Sequence, residues 1–238
     1  MNAQSEMFPF LERDFTVEKI MIDVNDLVVG TSLEECQALS EQYPTYDIIP
    51  LSQKGTIMGF WDTVAKKIIP ITPKHLITNK TSIFQLLDLF ENERYFFVLG
   101  NTRITGFVHC SDINNDLVKI PFYILLQSLE SLILGQLNLT VEAVGKIGNK
   151  QRVDDLIREH EMKLSNDIQL NKIQGLYLSE ILELGMKQQI IKLKPQLKQY
   201  LEDFRNRVSH ADKTLLSEEK DIHKLKRIKD YCISALQN

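Results

Sequence analysis

Arg205, Asn206 and His210 bring a guanidinium, an amide and an imidazole into one short segment, a set suited to phosphodiester chemistry. An imidazole with a pKa near ~6.5 moves protons at neutral pH. A guanidinium stays charged and grips phosphate oxygens with a planar fork of donors. The amide orients the imidazole or binds the substrate. RNA carries its own nucleophile, the 2′-hydroxyl, so a general base and a cationic clamp suffice without a metal. General acid–base help of this kind is worth ~10²–10⁴-fold, and the clamp adds to it. The same residue types also furnish an ordinary solvated helix face.

Helical spacing arranges the segment. At about 100° per residue, Leu197, Leu201, Phe204, Val208, Ala211 and Leu215 fall on one stripe, the predicted core face. Glu202, Asn206 and His210 follow one another on the opposite side, with Ser209 close beside them and Arg205 on the boundary. Arg205 and His210 are separated by about 140° on an ideal helix. They converge if the helix loosens near His210 or if two copies of the chain face each other, which points to a composite site in a symmetric dimer. Asn206 and His210 need no such help.

Arg-Asn, three residues and then His resembles the R-N-x-x-x-H signature of HEPN domains, with Arg205, Asn206 and His210 in the three defining positions. The resemblance implies an all-helical bundle of four or five helices and metal-independent endoribonuclease action leaving 2′,3′-cyclic phosphate ends. It also implies a homodimer with both motifs at the interface and single-stranded RNA as partner, with no cofactor for catalysis.

The elements that would carry a second function lie in the N-terminal half, which contains an internal repeat of roughly 50 residues. Thr31-Ser32-Leu33 and Thr81-Ser82-Ile83 each read as a hydroxyl cap before an apolar-periodic helix, Leu33 to Leu39 and Ile83 to Phe90. Each helix is followed by an apolar strand, 46–51 and 95–99, then by a turn at 53–55 and 100–102. A second short strand then ends at a glycine, Gly59 or Gly106.

This repeat resembles a tandem pair of CBS domains over roughly residues 17–120, with repeats at 17–66 and 67–120. The resemblance implies clefts that hold adenosine-containing ligands such as AMP, ATP or S-adenosylmethionine. The ligand signature of that family, G-x-x-T/S-x-x-D, aligns with Gly106-Phe107-Val108-His109-Cys110-Ser111-Asp112 in the second repeat. Glycine and acid are present, and His109 replaces the hydroxyl residue. In the first repeat, Gly59 to Ala65, the acid is gone, so at most one good site is expected. Asp112, Ser111 and His109 are its candidate residues. Asp112 is equally suited to cap a helix starting near Ile113, and His109 to sit packed or exposed at a strand end.

Beyond residue 120 the pattern is helical. Pro121 reads as the first residue of a buried helix running to Leu137, and Gly145, Gly148 and Asn149 as a break. Further helices are expected at about 151–164 and 176–184, the latter ended by Gly185, then the motif helix after Pro195 and a last helix capped by Ser217. The expected fold class is α+β: a CBS-type pair over 1–120 and an all-α bundle over 121–238.

At 238 residues and 43 % hydrophobic, the chain can bury one large core or two modest ones. The net charge of −4 is uneven: residues 1–145 hold 10 basic and 18 acidic side chains, residues 146–238 hold 18 and 14. The basic excess includes Lys220, Lys224, Lys226, Arg227 and Lys229, a face for a polyanion or a solvated surface. Cys36, Cys110 and Cys232 match no metal spacing and read as small apolar groups. No unbroken apolar run of ~20 residues and no basic-then-apolar leader is present, which leads us to expect a cytoplasmic protein without a membrane span. His75, His160 and His223 carry no motif, and His160 reads as a surface residue. Two functions stand: a nucleotide-regulated, metal-independent endoribonuclease, or a non-catalytic nucleotide- or RNA-binding module whose helical part serves dimerisation.

Overall fold

The computed structural model describes residues 3–145, 147, 149–165, 173, 175–218 and 220–237. Gly148 of the expected break lies outside them, as do Met1 and Asn2. The chain divides into two compact units, one of residues 9–118 with 216–222, the other of 1–8, 119–215 and 223–238. The first carries the strands and the second is helical.

In chain order the N-terminal half runs α1 (Ala3–Asp14), β1 (Ile22–Asp23), α2 (Leu33–Gln42), β2 (Ile48–Gln53), β3 (Thr56–Asp62), β4 (Lys67–Pro70), β5 (Leu76–Thr78), α3 (Ile83–Leu89), β6 (Tyr95–Gly100) and β7 (Arg103–His109). Helix, strand, turn and strand therefore occur twice, as the repeat predicts. Each helix starts at the expected hydroxyl. Ser32 Oγ accepts from the Glu35 N–H at 3.2 Å, and Ser82 Oγ from the Gln85 N–H at 3.1 Å. Both hairpins close through left-handed residues, Lys54 (φ 52°) with Gly55 (φ 78°), and Asn101 (φ 58°).

The strands form two sheets, in order β1-β7-β6-β5 and β2-β3-β4. Strand β5 runs parallel to β6, and Gly30 makes the matching parallel bridge to Leu51 on β2. The strands do not end at the two glycines as expected; they pass through them. A Cβ on Gly59 would lie 2.8 Å from the Ile69 carbonyl oxygen, and one on Gly106 would lie 2.7 Å from that of Ile22. Both glycines let a neighbouring strand approach, β4 and β1 respectively. Ile48, Ile57, Phe60 and Phe97 form the core between strand faces, with Phe60 and Phe97 ring centroids 5.9 Å apart. On the alternate face Cys36 and Leu39 of α2 cover Ile49, Leu51 and Trp61.

The helical part comprises α4 (Asp116–Gln136), α5 (Val141–Val144), α6 (Lys150–Ser165), α7 (Leu178–Lys187), α8 (Pro195–Ser209) and α9 (Asp221–Gln237). Several expected ends shift. Pro121 lies inside α4, not at its start. Gly185 lies inside α7, where a Cβ would meet Ile133 at 3.0 Å and Ile191 at 3.1 Å. It serves close packing and does not stop the helix. Helix α9 starts at Asp221, four residues past Ser217, whose N–H donates to the Asp221 carboxylate at 2.9 Å.

Helix α8 buries Leu201, Phe204 and Val208 as expected, and Phe204 meets Phe122 edge-on at 4.9 Å. Ala211 is exposed, because the helix has already ended at Ser209 and the helical stripe with it. By length and composition alone, α4 is long and apolar enough to cross a membrane, although charged residues such as Lys119 and Glu130 interrupt its apolar run. Within the protein its Phe122, Leu125, Leu129 and Ile133 are fully buried.

Candidate functional site

A cleft of about 390 Å³ opens in the strand-bearing unit. Ile22, Leu27, Ile48, Pro50 and Phe107 supply its apolar wall, and Asp26, Asp47, His109, Ser111 and Asp112 its polar lining. The pairing of β1 with β7 sets Ile22 opposite Phe107, and β7 then delivers His109 at its end. A short 3-10 turn, Cys110–Asn114, follows and carries Ser111 and Asp112. The three residues expected from the second repeat are thus brought together.

Asp112 lies within this turn, not ahead of a helix starting near Ile113. Its Oδ2 accepts the His109 N–H at 2.8 Å, so it caps the 3-10 turn, and it also lines the cleft. Burial pushes its carboxyl above the usual carboxylate range, against the pull of the His109 N–H and ring.

His109 is neither idle nor simply packed. Its Nε2 lies 2.9 Å from Asp47 Oδ2, and its Nδ1 accepts the Ser111 N–H at 3.2 Å with Ser111 Oγ at 2.8 Å. An accepting Nδ1 leaves Nε2 as the donor to Asp47. Arg94 Nη2 stands 3.5 Å from the same Asp47 oxygen. Burial pulls the imidazole pKa down, but the Cys110 sulfur and the Asp47 carboxylate outweigh it and raise the pKa above the ordinary histidine value.

Asp26 and Asp47 were not found from the sequence. Asp47 lies 62 residues from His109, and no short-range spacing signals such a pair. The three cysteines are buried thiols. Buried His75 closes a turn by accepting the Thr72 N–H at 3.1 Å and packs edge-on against Phe60. His160, expected at the surface, is half-buried, and its Nδ1 has no hydrogen-bond partner among the described residues. Among the described residues, no group of three His, Cys, Asp or Glu side chains could hold a metal ion.

In the helical unit a more open hollow of about 420 Å³ is lined by Lys119, Ile120, Tyr123, Arg205, Val208 and Ser209. Arg205 donates to Ser209 Oγ, and its Nε stands 3.7 Å from Glu130 Oε1. Burial raises the Glu130 pKa, with the Arg205 charge pulling it back. Lys119 Nζ donates to the carbonyls of His210 (3.3 Å) and Ala211 (3.1 Å), beyond the helix end.

His210 is exposed, with extended backbone at φ −114° and ψ 122°. The expected helical register between Asn206 and His210 is therefore lost, and neither lines the hollow that Arg205 lines. The basic run is also divided. Lys229 is buried, while Lys224 and Arg227 stand over the Tyr200 ring, each 5.7 Å from its centroid.

No protein-family model matches the chain, and no curated protein does. Part of it is similar to solved structures of the CBS domain of a bacterial CNNM/CorC family Mg²⁺ transporter. The ATP complex of that domain matches with 17 % identity and a TM-score of 0.38, over 48 % of this chain and 96 % of the other. Another structure of the same domain matches with 15 % identity and a TM-score of 0.37, over 50 % and 86 %.

Proposed function

We propose that this protein binds an adenosine-containing ligand in the cleft of its strand-bearing unit, as a ligand-sensing module. The observation that carries the reading is the convergence of both repeats on one cleft. The first repeat supplies Asp47, Ile48 and Pro50, the second Phe107, His109, Ser111 and Asp112. An apolar wall with a few convergent polar groups is the usual construction of a small-molecule site. Asp112 accepts hydrogen bonds from the ribose hydroxyls, and the apolar wall takes the base. Titration calorimetry with AMP, ATP and S-adenosylmethionine tests this. Binding of at least one, weakened more than tenfold in Asp112→Ala, is expected; no heat with any adenine compound would overturn it.

A second reading, ribonuclease action by the helical unit, is favoured by Lys119 and Arg205 lining one open hollow whose lining includes no carboxylate. In this reading Arg205 neutralises the scissile phosphate and His210 moves the proton of the 2′-hydroxyl or leaving oxygen. Asn206 positions one of them, and a second copy of the chain completes the site. Single-stranded RNA incubated in EDTA should then be cut to cyclic phosphate ends. Equal cutting by wild type and the Arg205→Ala, His210→Ala double variant eliminates it. With both readings correct, the protein is a nucleotide-regulated nuclease.

A further inference from the structure

We infer that the cleft selects a nucleoside bringing no phosphate charge, neutral or positively charged, over a nucleoside polyphosphate. This rests on the adenosine reading above and adds the charge class of the ligand. Three carboxylates, Asp26, Asp47 and Asp112, line the cleft; His109 is the one basic side chain in its lining, and no lysine or arginine is part of it. The nearest guanidinium, Arg94, already stands beside Asp47. With His109 protonated and Arg94 counted, the acids still outnumber the cations.

Polyphosphate sites recruit charged forks, lysines or free backbone N–H groups. Here the N–H groups of His109 and Ser111, at the start of the 3-10 turn, are given to Asp112 and to the His109 ring. Carboxylates in one lining repel a chain of phosphates held beside them over a Debye length of roughly 8 Å. The His109–Asp47 contact, 2.9 Å long, keeps both side chains in the lining.

The test is titration calorimetry of the full chain at low salt with adenosine, S-adenosylmethionine and ATP, the last with and without Mg²⁺. Adenosine and S-adenosylmethionine should each bind at least about tenfold more tightly than free ATP, with the gap narrowing as salt is raised. Asp47→Asn should narrow it too. ATP binding as tightly as adenosine, or a preference indifferent to both salt and Asp47→Asn, overturns the charge inference while leaving the adenosine reading intact. Binding by none of the three removes both. Should Asp47→Asn fail to fold, the wild-type affinity ratio and its salt dependence decide alone.

Discussion

In the strand-bearing unit the polar candidates hold one another, whereas in the helical unit they are held apart. His109 is fixed from both ring nitrogens, by Asp47 on one side and Ser111 on the other. Arg205 is drawn to Glu130 and Ser209, while His210 stands past the last helical turn with extended backbone. Residues from distant parts of the chain thus form the more organised site, and residues adjacent in sequence the looser one. A strand pair fixes the direction of both its side chains. A helix end fixes the direction only of residues that remain helical.

Changes that strip away the support of the cleft should separate the two regions most strongly. Phe60→Ala removes a fully buried ring between the strand faces and should cost about 3–5 kcal/mol. Urea unfolding checks this, and an unchanged midpoint would show that the cleft does not depend on that core. Gly106→Ala forces a methyl to within 2.7 Å of the Ile22 carbonyl oxygen and of the Met21 sulfur. Overpacking of this kind costs about 1–3 kcal/mol. It should displace β1, so ligand affinity should fall together with stability; loss of stability with affinity retained would remove Ile22 from the ligand wall.

The His109 pair sharpens the contrast by its pH dependence. Its pKa is raised on folding, so the stabilisation is fully present below the unfolded histidine value and is lost as pH rises through the raised value. His109→Gln should therefore destabilise by about 1–2 kcal/mol at acid pH and by less at alkaline pH. A stability difference that grows with pH contradicts the ion pair with Asp47. Arg205→Ala should have the smallest effect on stability, below about 1 kcal/mol, because its side chain is 37 % exposed and its contact with Glu130 is long. Under the ribonuclease reading its cost appears in RNA cleavage; a large drop in thermal midpoint would make Arg205 a structural residue.

Much of the strand-bearing unit was legible. Ser32 and Ser82 mark their helix starts, and Gln53-Lys54-Gly55 and Gly100-Asn101-Thr102 mark their turns, because caps and left-handed turns depend on residues a few positions apart. Strand β4, by contrast, had no such signal, and Gly59 and Gly106 were misread as strand ends. Their requirement comes from a carbonyl on another strand. The same limit explains Gly185, whose crowding comes from Ile133 as well as from nearby Ile191. In the candidate sites, Asp112, Ser111 and His109 were singled out through the repeat, and they line the cleft. Asp47 and Asp26 were not, since nothing local distinguishes them from surface acids.

Local chemistry in the chain thus determined that a repeated helix–strand–strand unit precedes a helical region, and which polar residues deserved testing. Caps, turn residues and apolar periodicity act over a few bonds, so the linear order of side chains carries them. Only the folded chain decided that Asp47 meets His109 across 62 residues and that α8 stops one residue short of His210. Both outcomes depend on which strands pair and where packing ends a helix, interactions between segments that no single stretch of sequence contains.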